Sequence, residues 1–346
     1  MIDAPLDRIG IVMMSAVGDA VHVLPVLNAI KRRKADAHIT WVLQPGPATL
    51  VRGHRHVDDI VVFDRARGRR AFTAIKRELA TRPFDLVLDL QVYFKAGIVT
   101  SFTKSPIKLG FDTARARDLN WLFTTHRIPP HPSGHHVQDQ YFEFLQALGI
   151  PHEPIEWHLG PTEPEREWQR AFFSPLERPT AAIVVASSKA EKDWPPERWA
   201  QVIDALYDDY GLQPVLVGGR TERELAAEAR IRERTRHQPI SALGSGLRGL
   251  VSILDGSALV VAPDTGPLHM AVALDRPVIS LLGYTNPKRT GPYRRFHDLM
   301  IDAYGVPGED YPISMENRPG RMPRITVDDV LAKVEVWQRT YAHRAT

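Results

Sequence analysis

The sequence predicts an α/β protein made of two doubly wound, parallel-sheet domains facing a central cleft, and three observations predict it. Short apolar runs alternate with amphipathic helical stretches along the whole chain, the pattern of parallel sheets with helices on both faces. The length, 346 residues, exceeds one typical domain and suffices for two, each with its own core. The segment Val260 to Pro292, VVAPDTGPLHMAVALDRPVISLLGYTNPKRTGP, reads as two buried strands flanking a helix that begins on Asp264-Thr265-Gly266. That start aims backbone N–H groups, a hydroxyl and the positive end of a helix dipole at one spot, where an anion fits. Pro267 early in the helix and Asp264 or Thr265 as its cap are also ordinary start signals, sufficient for a capped helix without a ligand.

In chain order, the strand-like runs of the first half are RIGIVMM, HITWVLQ, DDIVVFD, FDLVLDLQ and IKLGFD. A helix from His135 to Gly149 closes that half with a glycine stop. The Pro- and Glu-rich stretch from Pro151 to Glu177 then breaks the rhythm and is the expected interdomain connection. The second half restarts with TAAIVVAS, QPVLVGG, QPISALG, ALVVAPD, PVISLLG and LMIDAYG, separated by helices. The expected domains are therefore residues 1–160 and 178–325. The last helical pattern, TVDDVLAKVEVWQRTY within 326–346, is expected to pack back on the first domain. Ligands of such sheets bind beyond the carboxyl ends of the strands, where every informative motif of this chain falls.

Composition narrows the chemistry. Charged residues at 25% and hydrophobic ones at 43% are ordinary for a globular protein. No apolar run approaches the length of a transmembrane helix, and MIDAPLDRIGIVMM lacks the basic start and cleavage site of a signal peptide. A cytoplasmic location is the expectation. With no cysteine, disulfides, thiolate nucleophiles, thiolate zinc sites and iron–sulfur clusters are excluded. Residues 1–150 hold 20 Lys+Arg against 14 Asp+Glu, whereas 151–346 hold 24 against 27. The clusters KRRK (Lys31 to Lys34) and RARGRR (Arg65 to Arg70) suit an acidic partner such as a phosphorylated lipid or a membrane face. Each is also what a solvated helix end or loop looks like.

After the first strand, MMSAVGDAVHVLPVL places Gly18 and Asp19 at the start of a helix. A carboxylate held on a tight turn at a strand end is placed to act as a general base, although Asp is equally a favoured helix cap. His22 lies one turn along the same face, as a second polar group or a packed ring. The loop ASSKAEKDWPPERWAQVI follows the first strand of the second domain and offers the hydroxyls of Ser187 and Ser188 and the cations of Lys189 and Lys192. A diphosphate needs such donors, above all as a leaving group. In VGGRTERELAAEA, Glu222 is placed either to accept hydrogen bonds from a ribose or to favour the first turn of its helix.

GSGLRG, Gly244 to Gly249, matches the G-x-G-x-x-G dinucleotide fingerprint, and Asp264 lies 20 residues after Gly244. An NAD-dependent oxidoreductase is therefore an alternative, although QPISALG is a poor core strand. Metal chemistry finds little support: D-x-D, H-E-x-x-H and P-loop patterns are missing, and the pairs His54/His56 and His135/His136 are expected to be exposed. Nucleic-acid-binding patterns are not apparent.

Together these residues resemble glycosyltransferase family 9, the ADP-heptose:lipopolysaccharide heptosyltransferases. The resemblance runs through SAVGDAVHVLP, LDLQVYFKAGIVTSF, IKLGFDTARARDLNWLF, HHVQDQYFEFLQALGI, KDWPPERWAQVI, GGRTERELA and DTGPLHMAVALDRPVISLLGYTNPKRTGP. It implies a GT-B fold of two Rossmann-like domains, the first for the acceptor and the second for the nucleotide sugar. It also implies inverting transfer of heptose from ADP-heptose to a lipopolysaccharide inner-core acceptor, Kdo-lipid A or a core heptose, without metal or other cofactor. Carried over, Asp19 is the base, Lys192 with Ser187 and Ser188 holds the leaving ADP, and Glu222 meets the nucleoside. Asp264, Thr265, Gly266 and His269 surround the diphosphate and sugar, and His22, Lys95 and Asp118 are expected toward the acceptor. The implied partners are the sugar nucleotide, an acidic lipopolysaccharide precursor and the inner face of the cytoplasmic membrane, with no nucleic acid. Many relatives carry Glu where this chain has Asp118, Met13-Met14 stands where Arg, Lys or Thr is frequent, and the Pro-rich loop Gly305–Arg324 replaces the usual tail. Another donor or acceptor within the family, and a non-catalytic sugar-nucleotide-binding module, are the remaining alternatives.

Overall fold

Each apolar run read as a strand is a strand in the computed structural model, which describes residues 1–131 and 134–344. The chain forms two compact units, Met1–Ser133 with Val137–Leu159, and Gly134–His136 with Gly160–Thr346. Unit 1 carries β1 (Arg8–Val12), β2 (His38–Leu43), β3 (Asp59–Val62), β4 (Leu86–Asp89), β5 (Ile107–Gly110) and β6 (His126–Arg127). Its helices are α1 (Val17–Arg33), α2 (Pro45–Val51), α3 (Arg69–Ala80), α4 (Phe94–Ser101) and α5 (Val137–Ala147). Unit 2 carries α6 (Glu163–Phe173), β7 (Thr180–Val184), α7 (Pro196–Asp208), β8 (Gln213–Val217), α8 (Glu222–Arg232), β9 (Ile240–Ser241) and α9 (Gly246–Gly256). It continues with β10 (Leu259–Pro263), α10 (Gly266–Ala273), β11 (Val278–Leu282), α11 (Pro287–Thr290), β12 (Met300–Asp302) and α12 (Val327–Thr340).

Both sheets are parallel, ordered β3-β2-β1-β4-β5-β6 and β12-β11-β10-β7-β8-β9. Each is a doubly wound sheet whose order reverses once, between β1 and β4 in unit 1 and between β7 and β10 in unit 2. The loops leaving such a pair diverge to opposite faces and open a crevice at the carboxyl edge, where ligands bind. Registers Val12↔Asp89 and Val261↔Ile183 align the two central pairs.

The central strands are apolar on both faces because helices cover both, which removes the alternation seen in half-exposed strands. Ile9, Ile11 and Val12 of β1 are fully buried, as are Ala181, Ala182 and Ile183 of β7. Each such Ile or Val contributes roughly 1.5–3 kcal/mol by leaving water. Trp41 of β2, also buried, donates from Nε1 to the Met13 carbonyl at 3.1 Å and so ties the end of β1 to the core. In unit 2, Trp194 and Trp199 pack edge to face at 4.8 Å.

Two observations bear on the expected boundaries. The stretch read as a linker contains α6, whose Thr162 cap and Glu165 satisfy one another's backbone donors, and this helix belongs to unit 2. Gln169 of α6 donates to the Ser252 carbonyl and to Asp255, so the Pro and Glu residues mark a helix start rather than a free connection. The closing helix α12 likewise belongs to unit 2. Trp337 donates to the Ala258 carbonyl at 3.1 Å, and Trp194 donates to the Ile325 carbonyl at 3.0 Å just ahead of α12. A buried indole N–H usually finds an acceptor, and both of these acceptors lie in unit 2. Residues 345 and 346 of that expected segment lie outside the described residues.

The Gly305–Arg324 loop folds against unit 2 through Tyr311 to Asp302, Arg318 to Glu309 and a bridge between Thr285 and Asn317.

Candidate active site

In unit 1 the chain leaves β1 at the switch point and enters α1. Asp19, in the first turn, is half-buried and accepts from the Ala16 amide at Oδ2, 2.9 Å away. The Tyr141 hydroxyl of α5 donates to its other oxygen at 3.4 Å. One oxygen of the carboxylate thus caps α1 and the other meets Tyr141.

The loop beneath it is held by Gln91, which follows β4 on the other side of the switch point. Its Oε1 accepts from the Met14 amide at 2.9 Å and its Nε2 donates to the Ser15 carbonyl at 2.8 Å. Gln91 in turn donates its amide to Asp89 at 3.3 Å. Asp89 is fully buried, and burial pushes its pKa up to about 7 against the lowering effect of donors from Asn120, Thr100 and the Gln91 amide. Sequence reasoning missed Gln91, Asp89 and Tyr141. The signal for the first two was their place at and just after the end of the strand that neighbours β1, which only strand order reveals.

His22 is 4% exposed and shares a hydrogen bond with Gln138 of α5 at 3.0 Å, which makes it a brace between α1 and α5. Lys95 and Asp118 are exposed on segments tied to each other, the Arg117 amide donating to the Val92 carbonyl at 2.7 Å. The histidines His54 and His56, expected to be exposed, are instead partly buried, with His56 Nδ1 2.7 Å from Asn28 Oδ1 and His54 Nε2 3.0 Å from the Trp157 carbonyl.

In unit 2 the loops leaving β7 and β10 meet at that sheet's switch point. Lys192 donates from Nζ to Asp264 Oδ2 at 2.7 Å and to the Asp264 carbonyl at 3.1 Å. An ammonium has three hydrogens, so one remains for a further acceptor. His269 Nε2 lies 3.7 Å from Asp264 Oδ1, and Thr290 Oγ1 lies 3.4 Å from Oδ2. Burial works to raise the pKa of Asp264, but His269 and Lys192 outweigh it and hold the carboxyl well below the usual range. The carboxylate stays ionised.

Thr265 caps α10 by position, with its hydroxyl directed to the Pro263 carbonyl at 3.4 Å, and Gly266 opens the helix. The first turn of α10 and the Lys192 ammonium therefore share one corner, and a phosphate group fits that chemistry.

The β7–α7 loop is preformed. Ser187 donates its amide to Asp193 at 2.6 Å and its hydroxyl to the Lys189 carbonyl at 2.6 Å, while Ser188 is exposed. Arg223 of α8 pairs with Asp193 at 2.9 Å and donates to the Ser187 carbonyl. Burial raises the pKa of Asp193, opposed by the Ser187 amide and Arg223. Glu222 is exposed at the first position of α8, so the α8 residue that the structure joins to this loop is its neighbour Arg223, which sequence reasoning passed over.

The glycine-rich run Gly244–Gly249 follows β9, the edge strand, three places from β10, which ends in Asp264. A dinucleotide fingerprint needs the central strand and an acid on the neighbouring one, so the oxidoreductase reading is set aside. Among the described residues, no three His, Asp or Glu side chains come together in a way that could hold a metal ion, and no helix is long and apolar enough to cross a membrane.

Known proteins share this architecture. The Haemophilus influenzae lipopolysaccharide core heptosyltransferase OpsX is 28% identical over 335 residues, 94% of this chain and 95% of its own. Lipopolysaccharide heptosyltransferase 1 of Salmonella typhimurium is 28% identical over 296 residues, 83% of this chain and 91% of its own. Among solved structures, the family 9 glycosyl transferase of Veillonella parvula has a TM-score of 0.79 at 22% identity, covering 97% of this chain and 98% of its own. The Escherichia coli heptosyltransferase WaaC, solved with ADP-2-deoxy-2-fluoro heptose, has a TM-score of 0.73 at 24% identity, covering 95% and 99%. These likenesses establish the two-domain GT-B fold. The sequence model of glycosyltransferase family 9 (heptosyltransferase) matches residues 72–304, and with this match over more than half of its length the chain belongs to that family of glycosyltransferases.

Proposed function

We propose that this protein transfers heptose from ADP-heptose to a phosphorylated lipopolysaccharide inner-core acceptor, with inversion and without a metal, at the cytoplasmic face of the inner membrane. The observation that carries the reading is the paired placement of a carboxylate and an anion site. Asp19 stands at the switch point of unit 1, and Lys192, Asp264 and the start of α10 stand at that of unit 2. The chain's two nearly full-length curated relatives named above carry out heptosyl transfer by their names, which supports the sugar.

In this reading an acceptor hydroxyl oxygen attacks the anomeric carbon while Asp19 takes the hydroxyl proton. The bond from that carbon to the diphosphate oxygen breaks on the opposite face, and ADP departs with the electron pair. The third hydrogen of Lys192 and the positive end of α10 meet the charge that develops on the diphosphate. Asp264 orients the lysine, and His269 keeps Asp264 ionised. Ser187 acts mainly by shaping the loop, Ser188 and Thr265 offer hydroxyls, and Glu222 meets the ribose. Lys95 and Asp118 lie on the acceptor side.

Calorimetric titration with ADP, ADP-heptose, UDP and NADH, without added metal, followed by transfer to Kdo-lipid A, tests the proposal. ADP-type ligands binding selectively and ADP release with acceptor are the expected results. Preference for UDP points to another sugar nucleotide, and donor binding without turnover on any core acceptor makes the protein a binding module.

A further inference from the structure

We infer that unit 1 carries a membrane-docking face, formed by Tyr93 and Phe94 at the start of α4 and by Leu119 and Leu122 beside them, and that its partner is an anionic lipid bilayer. The inference deepens the proposed function, since it names the surface from which a lipid-linked acceptor is reached.

Tyr93, Phe94, Leu119 and Leu122 are 47%, 42%, 55% and 56% exposed. Single exposed apolar side chains are ordinary, but a local group of four large ones is not. The two segments are one rigid piece. Asn120 donates from Nδ2 to the Tyr93 carbonyl at 3.0 Å, and the rings of Phe94 and Phe123 meet edge to face at 5.4 Å. Phe123 sits so close to Gly97 of α4 that a Cβ there would come within 2.2 Å of it. The exposed side chains therefore project from a braced platform, not from two independent loops.

The backbone adds a second observation. Leu119 has φ of +61°, in the left-handed region that disfavours side chains beyond Gly, Asn and Asp. A leucine held there with its side chain in water gains no burial in return. Strain of this kind collects where a surface has work to do.

Charge selects the partner. Of the six Lys and Arg in residues 93–127, Arg115 is neutralised by Asp112 and Glu143, while Lys95, Lys104, Arg117 and Arg127 are exposed against the exposed Asp118. Lys95 is exposed beside Phe94, and the Arg127 guanidinium lies 5.3 Å from the Trp121 ring centre. Aromatic and leucine side chains interspersed with cations settle at the headgroup level of a bilayer and are drawn to anionic lipid. A second copy fits less well, because two such faces would bring like charge together.

The test is cosedimentation of the full chain with vesicles of phosphatidylethanolamine and phosphatidylglycerol, compared with phosphatidylcholine vesicles, all free of lipopolysaccharide. The variant Phe94→Ser/Leu119→Asn/Leu122→Ser removes the apolar face while giving position 119 a residue that tolerates positive φ. Leu119→Asn alone is the control that keeps the fold beyond question, and thermal melting reports on both. The expected result is binding to the anionic vesicles, reduced about tenfold or more on phosphatidylcholine and in the triple variant, with an intermediate loss for Leu119→Asn. Equal binding by wild type and a folded triple variant, or no binding of wild type to anionic vesicles, overturns the inference. So does a dimer seen by light scattering that the variant abolishes without any vesicle binding. Vesicle binding is read without donor or acceptor, so a failure of heptosyl transfer leaves this result standing, and the reverse holds too.

Discussion

Lys192 and Asp264 form a buried ion pair in which one ammonium bonds both the carboxylate, at 2.7 Å, and the backbone carbonyl of the same residue, at 3.1 Å. The pair joins the loop after β7 to the loop after β10 across the switch point, so one contact serves both the shape of unit 2 and its charge.

Replacing Lys192 by Met should therefore show in two measurements. Removing one partner of a buried pair costs about 3–5 kcal/mol. With Lys192 partly solvated and His269 still beside Asp264, a loss of roughly 2–4 kcal/mol is expected by urea unfolding. ADP affinity should fall about tenfold or more, as a charge-assisted contact is lost. Unaltered ADP affinity in a destabilised variant would confine Lys192 to a structural role.

Asp19→Asn keeps a side-chain oxygen for the Ala16 amide but cannot accept the acceptor's proton. Turnover should drop by about 10²–10⁴ while donor affinity and melting temperature stay near wild type. Unchanged turnover removes Asp19 from the mechanism.

Gln91→Ala tests whether the Asp19 loop is positioned from β4. Two hydrogen bonds are lost, each about 0.5–1.5 kcal/mol, and the loop that enters α1 is released. The expected outcome is a fall in kcat of about tenfold or more with a smaller change in KM, since a misplaced base slows chemistry more than binding. Loss of stability with wild-type kcat means that Gln91 only braces the fold.

Two histidines of unit 1 should cost it stability on acidification, against Asp89, whose raised pKa acts in the opposite sense. Burial, then Arg55, lowers the pKa of His56, and burial with Arg55 does the same for His158, from an ordinary 6.5. Their rings stack edge to face at 5.6 Å, and Arg55 reaches His158 at 2.9 Å. A histidine with a depressed folded pKa binds protons more readily when unfolded. Its contribution is thus whole above 6.5 and is lost as pH falls through 6.5 toward the folded value. His56→Gln removes its share of that cost, so on going from pH 7.5 to 5.5 the urea midpoint of the variant should rise relative to that of the wild type. An equal pH dependence in the two proteins rules out a contribution from His56.

The sequence by itself determined the kind of sheet, the strands and the capped start of α10. Double-faced apolar runs such as RIGIV and LVVAP can be buried only beneath helices on both sides, and Asp264-Thr265-Gly266-Pro267 is legible because capping is a local property of the backbone. Even β9, a weak run, was visible, and its weakness matched its place at the sheet edge. Asp19 and Lys192 were legible for the same reason, each being the polar exception at the end of an apolar run, with the family resemblance supplying their roles. Strand order is a long-range matter, and only the tertiary structure decided it. It put Gln91 beneath the Asp19 loop, Arg223 beside Ser187, and the Gly244–Gly249 fingerprint at an edge where it cannot serve a dinucleotide. Tertiary packing also drew α6 and α12 into unit 2, because buried Gln169, Trp194 and Trp337 need acceptors that only the folded unit supplies, and a sequence pattern does not say where an acceptor will be.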